Sequence, residues 1–92
     1  MSKRLRAPRH LRPETARWWR QVNEDYALEP HHIRLLTLAA EAYDRCAEAR
    51  EQLEKDGLTV PTGSGGLKPH PCVAIERDAR IAFARLIREL DL

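Results

Sequence analysis

Large core-forming residues are scarce in this chain: Leu, Ile, Val and Phe total 20 of 92. That fraction lies near the lower edge for a self-sufficient globular domain. A single chain of this size buries only about 60–65% of its unfolded surface, so association between copies is an expected source of missing core. Cysteine is also sparse. Two residues, Cys46 and Cys72, make no disulfide framework, and both sit at apolar helical positions where a reduced thiol acts as a small hydrophobe. No apolar run approaches the ~18 residues of a membrane span and no secretory signal pattern opens the chain, so a cytosolic protein is expected.

What is present centres on residues 30–56. Pro30 suits a first helical position, no glycine or proline interrupts residues 31–55, and Gly57 follows as a stop. Two apolar stripes run along this stretch at steps of three and four: Ile33, Leu36, Ala40, Tyr43 and Ala47, then Leu35, Ala39, Ala42, Cys46, Ala49 and Leu53. Together they cover about half the circumference, wider than the ~100° one packing contact needs. Arg34, Glu41, Asp44, Arg45, Glu48, Glu51, Gln52 and Lys55 are expected to face water. One stripe is assigned to the chain's own fold. The other, rich in alanine, suits a second copy, the alternative being one broad face within a monomeric bundle.

The remaining segments arrange themselves around that helix. Residues 1–12 read as an extended, mobile arm rich in arginine. Pro13 opens a short helix over residues 13–26, with Glu14 in the first turn and a stripe of Thr15, Trp19, Val22 and Tyr26. Trp18 lies at its rim, for ordinary packing or for a subunit boundary. Residues 57–70 hold two β-prone pieces around Pro61-Thr62-Gly63-Ser64-Gly65, a minimal hairpin that must lean on the helices. Pro69-His70-Pro71 forces extended backbone before a last helix over residues 71–90. Its stripe of Cys72, Ile75, Ala79, Ala82, Phe83, Leu86 and Leu90 should pack antiparallel on the long helix. Arg77, Arg80, Arg85 and Arg88 leave that face. The fold class is therefore mainly α: a short N-terminal helix, a long antiparallel helical hairpin with a small β-hairpin at its tip, one domain over residues 1–92, and an oligomer.

Charge is unevenly placed. Lys3, Arg4, Arg6, Arg9, Arg12, Arg17 and Arg20 stand against Glu14 alone in residues 1–20, a local charge of +6, whereas residues 21–92 carry −4. A basic arm on an acidic body is the footprint of a polyanion binder. Catalytic and cofactor chemistry finds no support. His10, His31, His32 and His70 make no metal-ligand spacing with the cysteines, and His31 and His32, about 100° apart on the helix, suit surface contacts. No nucleophile–histidine–acid pattern is legible. The glycine loop lacks the Gly-Lys-Ser/Thr ending of a phosphate loop. Glu41, Asp44 and Glu48 share a face, which beside Arg45 reads as solvated. No enzyme, metal or cofactor is expected.

Taken in order, several pieces resemble one family. They are Ala7-Pro8, Leu11 and Pro13-Glu14; Trp19 and Tyr26-Ala27-Leu28; then Leu36, Ala42, Tyr43-Asp44-Arg45 and Ala49-Arg50. Most specific are Gly57-Leu58-Thr59-Val60, Gly66, Lys68 and His70-Pro71, followed by Glu76-Arg77-Asp78-Ala79-Arg80 and Arg88-Glu89-Leu90. The chain resembles the small subunit of tailed-bacteriophage terminases, the short family often encoded beside an HNH endonuclease. The resemblance implies a non-catalytic, ring-forming component in the cytoplasm of the bacterial host. Such a subunit recognises the double-stranded viral DNA where packaging starts. It regulates a separate large subunit that carries ATPase and nuclease, with an HNH endonuclease as a further partner and no membrane.

Two functions follow for testing. In the first, Lys3, Arg4, Arg6, Arg9, Arg12, Arg17 and Arg20 contact phosphates, copies associating through Leu35, Ala39, Ala42, Cys46, Ala49, Leu53 and Trp18. Such contacts hold and orient DNA without reading its sequence. In the second, the chain is a helical protein–protein adaptor without DNA binding.

Overall fold

The computed structural model describes residues 5–92, in the order α1 (Pro13–Asp25), α2 (Pro30–Asp56), β1 (Thr59–Pro61), β2 (Leu67–Pro69) and α3 (Pro71–Leu90). All three helices begin on proline, whose missing N–H costs nothing in a first turn. Each stop has a local cause. Tyr26 adopts an extended conformation that ends α1 (φ −133°, ψ 143°), Gly57 ends α2 with φ 84°, and Asp91 ends α3 in the left-handed region. Because α1 stops at Asp25, Tyr26 leaves the helical register and is exposed, against its expected place in the apolar stripe.

The chain is elongated, with extents of 64 × 23 × 15 Å and a radius of gyration of 16.7 Å. A globular chain of this length would have about 12 Å. The length comes from α2, whose 27 residues pack antiparallel against α3. The Cys46 thiol reaches the Glu76 carbonyl at 3.7 Å, which sets the level of one helix against the other.

Both stripes of α2 find partners inside the chain. Leu36 and Ala40 meet Leu11, Trp19, Val22 and Leu90 in the main core, with Ala7, Leu28, Ile33 and Leu35 packed around it. The second stripe faces α3. Ala39 and Ala49 are buried there, and Ala42, Cys46 and Leu53 are half-buried. This corrects the expectation that the alanine-rich stripe is reserved for another copy: Ala39 and Ala49 have no side-chain surface left to offer. Exposed large apolar side chains elsewhere include Leu38 and Tyr43 of α2, Ile75, Ile81 and Ile87 of α3, Leu58 just before β1 and Leu67 of β2.

The strands form a two-stranded antiparallel ribbon with Val60 opposite Lys68 and Pro61 opposite Leu67. Thr62 N–H donates to the Gly66 carbonyl (2.9 Å) at one end, and His70 N–H donates to the Leu58 carbonyl (2.8 Å) at the other. His70, buried, then fixes the corner. Its Nδ1 accepts the Cys72 N–H at 3.0 Å, capping α3, while Nε2 lies 2.9 Å from Asp56 Oδ2 at the end of α2. An imidazole whose Nδ1 accepts carries its proton on Nε2, so this one side chain joins two helices. Asp56 is held below the usual carboxylate range by the Gln52 amide and then by His70. Among the described residues no helix is long and apolar enough to cross a membrane.

Candidate nucleic-acid interface

The arm is built onto α2 rather than extended from it. Leu11 is buried in the core, and its N–H turns back to the Pro8 carbonyl at 3.3 Å. Three acidic residues of α2 then hold residues 10–15. His10 Nε2 lies 2.7 Å from Glu41, the Arg12 guanidinium forks onto both Glu51 oxygens at 2.9 and 2.5 Å, and Asp44 takes the centre. The expectation of an extended arm is thus corrected for residues 7–12, which pack against the core or pair with α2; Leu5 and Arg6 are exposed ahead of them, and Lys3 and Arg4 lie outside the described residues.

Asp44 is the residue that the pattern on α2 concealed. Expected in water, it is buried: Oδ1 accepts the Thr15 hydroxyl at 2.5 Å and Oδ2 accepts the Arg12 N–H at 2.9 Å. The start of α1 has no side-chain cap of its own, so a carboxylate from α2 supplies an acceptor there. A signal was available. Asp44 stands four residues after Ala40 and three before Ala47, on the edge of an apolar stripe where a charge needs a partner. Trp19, also buried, donates its indole N–H to Thr37 at 3.1 Å, and this pair locks α1 along the first face of α2.

This scaffold fixes where the basic side chains stand. Arg6 and Arg9 are exposed on the arm, and Arg17 and Arg20 are exposed one turn apart on α1. Arg12 differs. Its hydrogen bonds to Glu51 raise the guanidinium further and hold Glu51 below the usual carboxylate range, so its charge is engaged within the chain. A cleft of about 540 Å³ opens between the start of α1 and the middle of α2, bordered by Arg12, Arg17 and Arg50 with Glu14 and Glu51 among them.

Trp18 is half-buried at the core rim, its ring 6.1 Å from Phe83, which lies 5.4 Å from Tyr43. The three line an apolar hollow of about 210 Å³ with Thr15 and Glu14. His31 and His32 do not point apart. Their rings approach to 4.1 Å, because His32 Nδ1 turns back to accept the Glu29 N–H at 3.3 Å. Burial pushes the Cys46 thiol up, with a Glu76 hydrogen bond adding to the effect.

The family model described as phage terminase, small subunit, matches residues 15–92. The chain belongs to that family. The match takes in all of α2, the ribbon and α3, together with Thr15, Asp44 and His70, while the arm lies ahead of it. No curated protein and no solved structure matches. Membership in the terminase small subunits supports a role in phage DNA packaging, and the small subunit of a terminase is generally the non-catalytic one.

Proposed function

We propose that this terminase small subunit is the DNA-recognition component of a packaging motor. Copies associate, ring-like, so that their arms converge on one duplex at the packaging start, and the assembly regulates a large subunit that supplies ATPase and nuclease. The observation that carries the reading is the anchored arm. Glu41, Asp44 and Glu51 hold residues 10–15 on α2, so Arg9, Arg17 and Arg20 project from backbone next to these anchors, with Arg6 exposed just ahead of them. Charges on a fixed base meet phosphates with less ordering cost than charges on a free tail. Several copies add their charge along the same DNA.

The test is fluorescence anisotropy on a labelled duplex across a salt series. With about 3 phosphates neutralised per chain, log affinity should fall against log salt with a slope of about −0.9 for each contact. Replacing Arg6, Arg9, Arg17 and Arg20 together with Ala should flatten that slope and weaken binding at every sequence, since phosphate contacts carry no sequence information. Unchanged affinity in that variant overturns the reading in favour of a helical adaptor.

A further inference from the structure

Trp18, Tyr43 and Phe83 belong to a sequence with few aromatic side chains (two Trp, two Tyr, one Phe), yet they converge from all three helices on the hollow of about 210 Å³. Neither ring pair is stacked. Trp18 is tilted by 52° against Phe83, and Tyr43 by 60°, so ring faces stay uncovered. Tyr43 is 50% exposed, which leaves the hollow open to solvent on its side. Glu14 and Thr15 complete the wall. We propose that this hollow is a binding site for a primary alkylammonium group, the head of a lysine side chain or of a free amine.

The electrostatics of the wall select that guest. Although the chain carries 16 Lys and Arg, none of them lines the hollow, and no histidine does. An aromatic face presents the negative part of the ring quadrupole, which attracts a cation within about 6 Å of the ring centre. Glu14 adds a full negative charge, exposed and without an ion pair among the described residues. Thr15 gives its hydroxyl hydrogen to Asp44, so its oxygen can only accept from a guest. Behind it, the Asp44 carboxylate meets a hydroxyl and a backbone N–H, the start of α1, and no cation. Arg12, Arg17 and Arg50 line the adjoining cleft instead, and Arg12 is engaged by Glu51. The acceptors also narrow the choice of cation. A quaternary ammonium has no N–H for Glu14 or Thr15. A guanidinium is planar and covers one ring face at a time. A primary ammonium is compact and keeps three donors, while its methylene stem suits the apolar walls. Glu14 disfavours phosphate, so this ligand differs from the one the basic side chains would take, and the inference does not rest on DNA binding.

The test is NMR on the full chain at constant ionic strength, titrated with n-butylammonium and, separately, with neutral n-butanol. The ammonium should shift the Trp18 indole N–H saturably, and ring currents should move its own methylene protons beside the nitrogen upfield. n-Butanol should bind at least about tenfold more weakly. Glu14→Gln should weaken the ammonium by about tenfold and leave n-butanol unchanged. Tyr43→Leu keeps an apolar wall but removes a ring, and should weaken the ammonium by about threefold. Both positions are exposed, and circular dichroism matching the wild type confirms that the variants fold. Nα-acetyl-lysine methylamide separates the two sources: tighter binding than n-butylammonium assigns the site to a protein's lysine, and equal or weaker binding to a free amine. No saturable shift overturns the proposal, as does n-butanol binding as well as the ammonium, or an ammonium affinity that Glu14→Gln leaves intact. A chain that takes the ammonium yet ignores duplex DNA sinks the packaging reading alone, whereas one that binds duplex and no ammonium sinks the hollow alone.

Discussion

The two ends of the long hairpin are made of different materials. Near α1, Trp19, Val22, Leu11, Leu36 and Leu90 enclose one another, and the polar atoms they bury are paired through Asp44 and Thr37. Toward the strands the buried side chains are Ala47, Ala49, Ala79 and His70, while Leu58 and Leu67 stand in solvent, 67% and 72% exposed. A sequence short of large hydrophobes has concentrated them at one end. There, burial of apolar volume holds the fold. At the other end, close approach between alanines and a hydrogen-bonded histidine corner do so, and little of either resists local opening.

The largest effects that sharpen this contrast are core truncations. Trp19→Ala should cost about 3–5 kcal/mol and Leu36→Ala about 3–4, whereas Ile75→Ala, 41% exposed on the far half, should cost under about 1. Urea titration of the three variants checks the ranking, and equal losses would erase the distinction between the ends. Next comes Asp44. Removing its carboxylate leaves the Thr15 hydroxyl and the Arg12 N–H unpaired, so Asp44→Ala should cost about 2–3 kcal/mol and Asp44→Asn less, since an amide oxygen still accepts. Thermal melts of the pair separate the acceptor from the charge.

At the far end, His70→Ala removes the cap of α3 and the tie to Asp56, and should cost about 1–2 kcal/mol. His70→Asn, able to cap but too short for Asp56, should recover part of it. Hydrogen exchange should show the loss confined to residues 56–73, and a loss spread evenly over the chain would mean that the corner is no separate unit. Smallest is the response to acid. Glu51 and Asp56 have carboxyls held below their unfolded values, so their stabilisation is complete above the ordinary carboxylate range and fades as pH falls through the lowered values. Glu51→Gln should therefore flatten the acid limb of stability against pH and leave the neutral and alkaline parts of the profile nearly parallel to the wild type.

Much of this was legible in the residues. Three prolines opened three helices, Gly57 closed the longest, and the period of Leu36, Ala40 and Ala47 marked a buried face. The ribbon followed from β-prone pieces around a glycine turn. What escaped was anything decided by a partner distant in sequence. Asp44 looked like one acid among several on a wet face, because its worth depends on Thr15 and Arg12, about thirty residues earlier. The arm looked free because periodicity says nothing about Leu11 reaching a core that other segments build. The second stripe of α2 is apolar in sequence, but a helical pattern does not say whose surface will cover it. Of the basic side chains, exposure could be guessed for Arg17 and Arg20, while the pairing of Arg12 with Glu51 could not.

The ribbon at the tip has a consequence for whatever touches it. Thr62 and His70 donate their N–H groups inward across the pair, so by alternation the nitrogens of Pro61 and Pro69 lie along the two outer margins. Neither carries a hydrogen, which denies a visiting strand regular pairing on both margins. Each margin thus keeps a single outward N–H, on Thr59 or Leu67, too few for a continuous ladder, and the exposed Leu58 and Leu67 are the apolar surface this extremity presents.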